Sequence, residues 1–202
     1  MTTRIWFLAL PVSLALAACQ PGQSASSAQA VTPAPAVQQP AVAIQDAMLA
    51  LVDPSADAVW ESVSTTITKK GEEVKQPRSD EEWNEVRLHT LRIIAGATLL
   101  QTDGIAVVRD GVKIEDTHES YLNEAGIAAA IAKDPSQFKA AAKSLQSTAQ
   151  EVLVAVNKRD TGAIIQLGAK LDAACEHCHS TYWYPNQKIP GWPARLGDKP
   201  KS

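Results

Sequence analysis

The sequence predicts an all-α domain, an antiparallel four-helix bundle, on three observations. Apolar residues recur at spacings of three and four through several long stretches. Helix-start signals stand directly before two of those stretches. No run of alternating apolar residues is long enough for a sheet.

The elements follow in chain order. Val42 to Val52 is apolar and is interrupted by Asp53-Pro54. The first region is therefore either two consecutive helices, the second capped by Asp53 with Pro54 at its first position, or one helix kinked at Pro54. It carries Ala58, Val59 and Trp60 and fades by Thr68. Gly71 to Arg78 reads as a charged loop. Ser79-Asp80-Glu81-Glu82, after Pro77, is a capping box that opens a second helix, in which Trp83, Val86, Thr90, Ile93, Ala97 and Leu100 share one face. The segment Gln101 to Lys133 is long. Within it, Ile105 to Val108 has the composition of a short strand, but Asp110-Gly111 and the single copy favour a loop, and a further helix is expected near Asn123 to Ala132. Asp134-Pro135-Ser136-Gln137 supplies an N-cap, a proline at the first helical position and a glutamine at the third. After it Phe138, Ala142, Leu145, Ala149, Val152 and Val156 keep a 4-3-4-3-4 spacing, the seam of a helix packed in a bundle. Asn157 to Gly162 is a turn. The last helix runs from about Ala163 to Ser180, with Ile164, Leu167, Leu171, Cys175 and Cys178 on one face.

That last stripe ends in Cys175-Glu176-His177-Cys178-His179, a C-x-x-C-H, the pattern that attaches c-type haem. Two thiols at i and i+3 leave one helical turn in the same direction, so they can add to the two vinyl groups of one porphyrin. The imidazole of His179 can then reach the iron from that face. Other readings stand beside this one. A zinc half-site would need a second pair of ligands, and the chain holds only three cysteines. A thioredoxin-like redox pair would follow a strand, whereas an apolar helix precedes this motif. A Cys175–Cys178 disulfide fits an oxidising compartment. The haem reading places one porphyrin against the core at the C-terminal end of the last helix.

Residues 1–18 read as an export signal. Arg4 is the only charge, and Ile5 to Ala18 is mostly apolar but shorter than the roughly 20 residues of a bilayer span. The signal ends in Leu16-Ala17-Ala18-Cys19, which resembles the bacterial lipobox; the alternative is ordinary Ala-x-Ala-like cleavage beside an incidental cysteine. The lipobox resemblance implies cleavage before Cys19 and acylation of its thiol and amine, an anchor stable enough to hold a protein on a membrane. The same resemblance implies the outer membrane, because Gln20 and not Asp follows the cysteine. Residues 19–43 then form the acylated cysteine and a tether of Ala, Pro, Gln, Ser and Val that cannot bury enough apolar surface to fold. The folded domain is 44–190, and 191–202 is a Pro-, Gly- and Lys-rich tail containing Trp192. With Cys19 acylated and Cys175 and Cys178 on haem, every cysteine has a use. The formal charge of −3 gives a mildly acidic chain, which argues against a nucleic-acid partner and weakly suggests neutral or basic redox partners. No nucleophile–base pair, phosphate loop or carboxylate dyad rises above chance spacing, so an enzyme is not supported.

With a C-x-x-C-H on the last of four helical regions, the chain resembles the class II c-type cytochromes, the cytochrome c-prime family and its low-spin relatives. The match covers roughly residues 44–186, and Cys175 to His179 is its strongest element; Tyr182-Trp183-Tyr184-Pro185 also looks like some bacterial members. The resemblance implies one covalent haem c, with Cys175 and Cys178 as its thioether residues and His179 as the proximal iron ligand. It implies a lipid-anchored monohaem electron carrier on the periplasmic side of a bacterial envelope, with redox proteins as partners and a homodimer among its expected states. The Pro54 interruption and the long 101–133 segment depart from the family pattern.

Up-down topology selects who can reach the sixth iron position. If the fourth helix ends at the haem, the third begins there, the second ends there and the first begins there. Met48, early in the first region, matches by position the methionine ligand of the low-spin relatives; a core methionine is the plainer reading. His118, in the long connection, is a rival with polar flanks. His89 lies in the first half of the second helix, away from the iron, and His177 faces solvent. The third case is an open site, the five-coordinate, NO- or CO-binding form of the c-prime proteins. Trp60, Trp83, Trp183 and Tyr184 are candidates for the pocket wall, and Arg87 and Arg92 are candidates for propionate pairing, although core packing and a solvated face also explain them.

Overall fold

In the computed structural model, residues 42–115, 117–185 and 187 are described. The leader 1–18, Cys19, most of the tether and the 191–202 tail with Trp192 lie outside the described residues. The chain is mostly helical, with one small two-stranded sheet. Among the described residues no helix is long and apolar enough to cross a membrane.

The first region is a near-continuous helical run in three parts. Helix α1 (Ile44–Ala47) passes into a π-helical turn (Met48–Val52), and that passes into α2 (Asp53–Ser62). Both junctions keep right-handed helical dihedrals. As one of the two expectations had it, a helix opens at Asp53 with Pro54 in its first turn, but Asp53 does not cap it and the run continues through the junction. The turn just before the proline widens, with the Asp53 N–H donating to the Met48 carbonyl five residues back.

After α2 the chain forms a hairpin where a fading helix and a loop were expected. Strand β1 (Ser64–Thr68) pairs antiparallel with β2 (Gly71–Lys75). Its cue was the β-branched run Thr65-Thr66-Ile67-Thr68 followed by Lys-Lys-Gly, with Gly71 at a φ of 122° that only glycine takes readily. The alternating pattern is missing because the hairpin is exposed on both faces.

Helix α3 (Asp80–Leu99) starts on the expected capping box. The Glu82 N–H donates to Ser79 Oγ at 3.2 Å, and the Ser79 N–H donates to Glu82 Oε2 at 3.0 Å. All six residues of its expected stripe are buried. Helix α4 (Glu124–Lys133), capped by Asn123, is the further helix of the long connection. Helix α5 (Pro135–Asn157) follows its Asp134 cap, and the whole Phe138-to-Val156 seam is buried. Helix α6 (Thr161–Cys178) starts two residues earlier than expected, on Asp160. A second π-helical turn, His179–Trp183, continues it.

Helix α3 packs chiefly on α5, α5 on α6, and α2 on both α3 and α6. Two apolar clusters result. The larger joins α2, α3, α5 and α6 through residues such as Val59, Ile93, Val152 and Leu171. The smaller joins α1, the 100–108 loop, α4, the start of α5 and the second π-turn, through Ile44, Val107, Ile127, Phe138 and Tyr182. Met48 packs against both clusters.

Candidate functional site

A cavity of about 280 Å³ lies between the start of the first helical run and the end of the last. Cys175, Cys178 and His179 form one part of its wall, and Met48 and Leu49 form another. Helix α5 adds Phe138, Ala142 and Leu145, and the second π-turn adds Tyr182 and Trp183, with Tyr184 just beyond it. The walls are thus mostly apolar, with a few polar groups, the usual make-up of a ligand cavity.

Local folding explains each position. Cys175 and Cys178 close the buried stripe of α6, three residues apart, and both are half-buried and unbonded to each other. Burial pushes the Cys175 thiol up to about 12, helped by Cys178 and by the carboxylates of Asp172 and Asp53; burial alone pushes Cys178 up to about 11. Such thiols stay protonated at neutral pH, the opposite of the lowered pKa that marks a redox-active pair. His179 begins the second π-turn, whose bond runs from the Tyr184 N–H to the His179 carbonyl at 2.9 Å. Trp183 closes that turn and Tyr184 follows it, and both line the cavity. The Tyr184 hydroxyl donates to Glu176 Oε2 at 2.7 Å, and its ring lies 5.7 Å from the His179 ring, centre to centre. Tyr182 is buried edge-on against Phe138 at 5.2 Å, and burial raises the pKa of its hydroxyl.

The opposite wall depends on the long connection. The Ile44 and Gln45 N–H groups donate to the Ala106 and Val107 carbonyls. Gln45, only 8% exposed, donates through Nε2 to the Lys113 carbonyl at 3.1 Å and accepts from the Glu115 N–H at 2.8 Å. Asp46 holds the Ala43 N–H and the Arg109 guanidinium. Leu122 donates to the Trp183 carbonyl at 2.7 Å. These bonds bring Ile114 and Glu115 to the cavity edge. The sequence did not mark Gln45 or Glu115, and it showed Tyr182 only within the Tyr182-to-Pro185 segment and not as part of the wall, because these roles arise from contacts distant in sequence.

The remaining sequence candidates are apart from the cavity lining. His118 is exposed, bonded to Ser120, and separated from His179 by two rings, since it stacks on Tyr121 at 5.3 Å and Tyr121 on Tyr184 at 5.2 Å. His89 meets the Ser55 hydroxyl at 3.3 Å, and His177 is exposed. Trp60 lies over Gly168, donating to its carbonyl at 3.1 Å, and Trp83 is core. Arg87 and Arg92 are exposed on α3 and do not line the cavity. Among the described residues no three His, Cys, Asp or Glu side chains are grouped so as to hold a metal ion. The chain matches no protein-family model and no curated protein.

Proposed function

We propose that the chain is a monohaem c-type cytochrome, a lipid-anchored electron carrier of the bacterial cell envelope. One observation carries the reading: a single, mostly apolar cavity gathers both thiols and the imidazole of the C-x-x-C-H and also Met48, which is 127 residues distant from Cys175 in the sequence. The donor set fits a covalently held porphyrin. Cys175 and Cys178 would supply the thioethers, His179 the proximal ligand and Met48 the distal one. When bound, haem supplies a one-electron iron couple, and His/Met ligation sets it at a raised potential. The chain's own part is to fix both ligands on helices, to surround the group with apolar walls, and to keep water from it with Tyr182, Trp183 and Phe138. The reading of a carrier and not an enzyme rests on the sequence alone, in which no nucleophile–base pair, phosphate loop or carboxylate dyad rises above chance spacing.

On this reading the first helical run, α3, α5 and α6 are the members of an antiparallel four-helix bundle, with haem at the end of α6. Its support is the packing of α3 on α5, α5 on α6 and α2 on α3 and α6. Acylation of Cys19, a periplasmic and outer-membrane location, basic or neutral redox partners and a homodimer belong to the same proposal and rest on the sequence alone.

The test is the visible spectrum of the soluble domain after c-type haem maturation, ferric and ferrous, with and without carbon monoxide. A low-spin ferrous spectrum that carbon monoxide leaves unmoved, turning high-spin and CO-reactive in Met48→Ala, is the expected result. A wild-type spectrum that is high-spin and shifts on carbon monoxide would replace the carrier by an open-site, gas-binding cytochrome. Absence of any haem band on a denatured sample would sink the haem reading altogether.

A further inference from the structure

The π-turn that begins at Met48 is seated in a notch made by one glycine. Gly96 on α3 lies directly under it. A Cβ built on Gly96 would fall inside contact distance of Val52 Cγ2, 3.3 Å from Leu51 Cβ and 3.5 Å from the Ala47 carbonyl oxygen. All three atoms belong to the turn or to the residue before it. The new Cβ would thus overlap a Val52 methyl and crowd Leu51 Cβ, while the nearest backbone atom stays at ordinary contact; Gly96 itself is buried.

The turn fixes a rotation. One residue of a helix is worth about 100° around its axis, so the extra residue held in a π-turn offsets the side chains before it from those after it by about that angle. The residues after it are committed to the larger cluster, through Val52, Ala56 and Val59, all at most 2% exposed. The residues before it are committed to the smaller one, through Ile44 and Ala47. Met48 stands at the join and faces the cavity. Pro54 favours the same offset, because it has no N–H for the Ala50 carbonyl four residues back.

We infer that Gly96 is a positioning residue for the sixth coordination site: by admitting the widened turn it aims Met48 at the cavity, and so decides between a filled site and one open to small gases. This rests on the proposed haem reading. A Cβ at residue 96 must push on Val52 and Leu51; Val52 is packed in the larger cluster at 1% exposure, so its methyl has little room to turn aside and the push passes to the turn, which carries Met48 with it. If Met48 leaves, the apparent affinity for carbon monoxide rises by the factor by which the open fraction rises, about a hundredfold if that fraction grows from roughly one per cent to nearly all molecules.

The experiment uses haem-loaded wild type, Met48→Ala, Gly96→Ala, and Gly96→Ala combined with Val52→Ala, which removes the methyl that the new Cβ meets. Spin state and carbon monoxide affinity are read in each, with circular dichroism for folding, and the resonance of a ¹³C-labelled Met48 methyl is read wherever Met48 is kept. We expect Gly96→Ala to become high-spin and CO-reactive like Met48→Ala while remaining helical, its Met48 methyl resonance to move, and the double variant to recover low-spin character. A second variant keeps the test open should Gly96→Ala fail to fold: deletion of the exposed Ala50 takes the extra residue out of the turn without touching the notch, and should likewise release Met48. If Met48→Ala opens the site while Gly96→Ala or the deletion stays low-spin and CO-silent, the inference is wrong and the cytochrome reading stands. If Met48→Ala itself stays low-spin, Met48 is not the ligand and the inference falls with it, while the haem reading, which rests on the haem band, stands.

Discussion

Cys175 and Cys178 show how a residue's surroundings separate two chemistries that share one motif. Their pKa values are raised to about 12 and about 11, from an ordinary 9.0, with burial the main cause. The folded state therefore favours the neutral thiol. Below pH 9 both folded and unfolded chains hold these protons, and stability is intact. As pH rises from about 9 towards 12 the unfolded chain ionises first, so stability falls across that window. In the haem-free chain we expect the urea midpoint to drop between pH 8 and pH 11, and to drop less in Cys175→Ser/Cys178→Ser. Tyr182, whose pKa is raised by burial first and then by Cys178, contributes to both proteins, but less in the variant that lacks Cys178, which adds to the same difference. An equal drop in the two proteins would mean that the thiols are not buried as described. Once the sulfurs are in thioethers they have no proton to lose, so the haem-loaded chain should resemble the serine variant.

At the scale of elements, legibility followed the range of the forces involved. Helices α3 and α5 were readable because their caps and their apolar stripes agree, and both signals lie within a few residues of one another. Ser79 with Glu82, and Asp134 with Gln137, are bonded as the sequence suggested. The C-x-x-C-H was readable for the same reason. The hairpin was not, because Ile67 at 88% exposed and Val74 at 47% bury neither face, and period-two patterning exists only where one face is buried. Neither was the π-turn, which depends on the absence of a side chain at Gly96, more than forty residues on. The long connection is the third case. Its bonds to α1 converge on Gln45, whose amide satisfies one carbonyl and one N–H of the 113–115 backbone. Gln45→Ala leaves both without that partner and should cost about 1–3 kcal/mol. Amide exchange checks the cause: the Glu115 N–H should lose protection in Gln45→Ala, while the Glu82 N–H, bonded within its own capping box, should not. Unchanged protection at Glu115 would show that other contacts hold the connection in place.

For the whole molecule, the two clusters share the support of the site unequally: the larger holds the helices together and reaches the cavity through Leu145, Met48 and Cys175, and the smaller forms the wall beside the second π-turn. Ile93, fully buried, sits in the larger cluster among α2, α3, α5 and α6. Ile127, equally buried, sits in the smaller one with Phe138, Tyr182 and Ile44, three residues that line the cavity. Truncating either to alanine removes a similar apolar volume and should destabilise by about 2–5 kcal/mol, depending on how far each hole collapses. The consequences for the site should differ. Loss of Ile127 loosens α4 from the second π-turn and from the start of α5, so the wall beside His179 gains freedom and water gains access. Loss of Ile93 weakens the helical packing and leaves that wall supported. In haem-loaded protein, under conditions where both variants remain folded, Ile127→Ala should exchange the Tyr182 and Trp183 amides faster and bind added carbon monoxide more readily, whereas Ile93→Ala should lower the unfolding midpoint with the site's spectrum and ligand response unchanged. Equal loosening of the site in both variants would mean that the clusters act as one core, and that the candidate ligands depend on the whole helical packing rather than on the smaller cluster beside them.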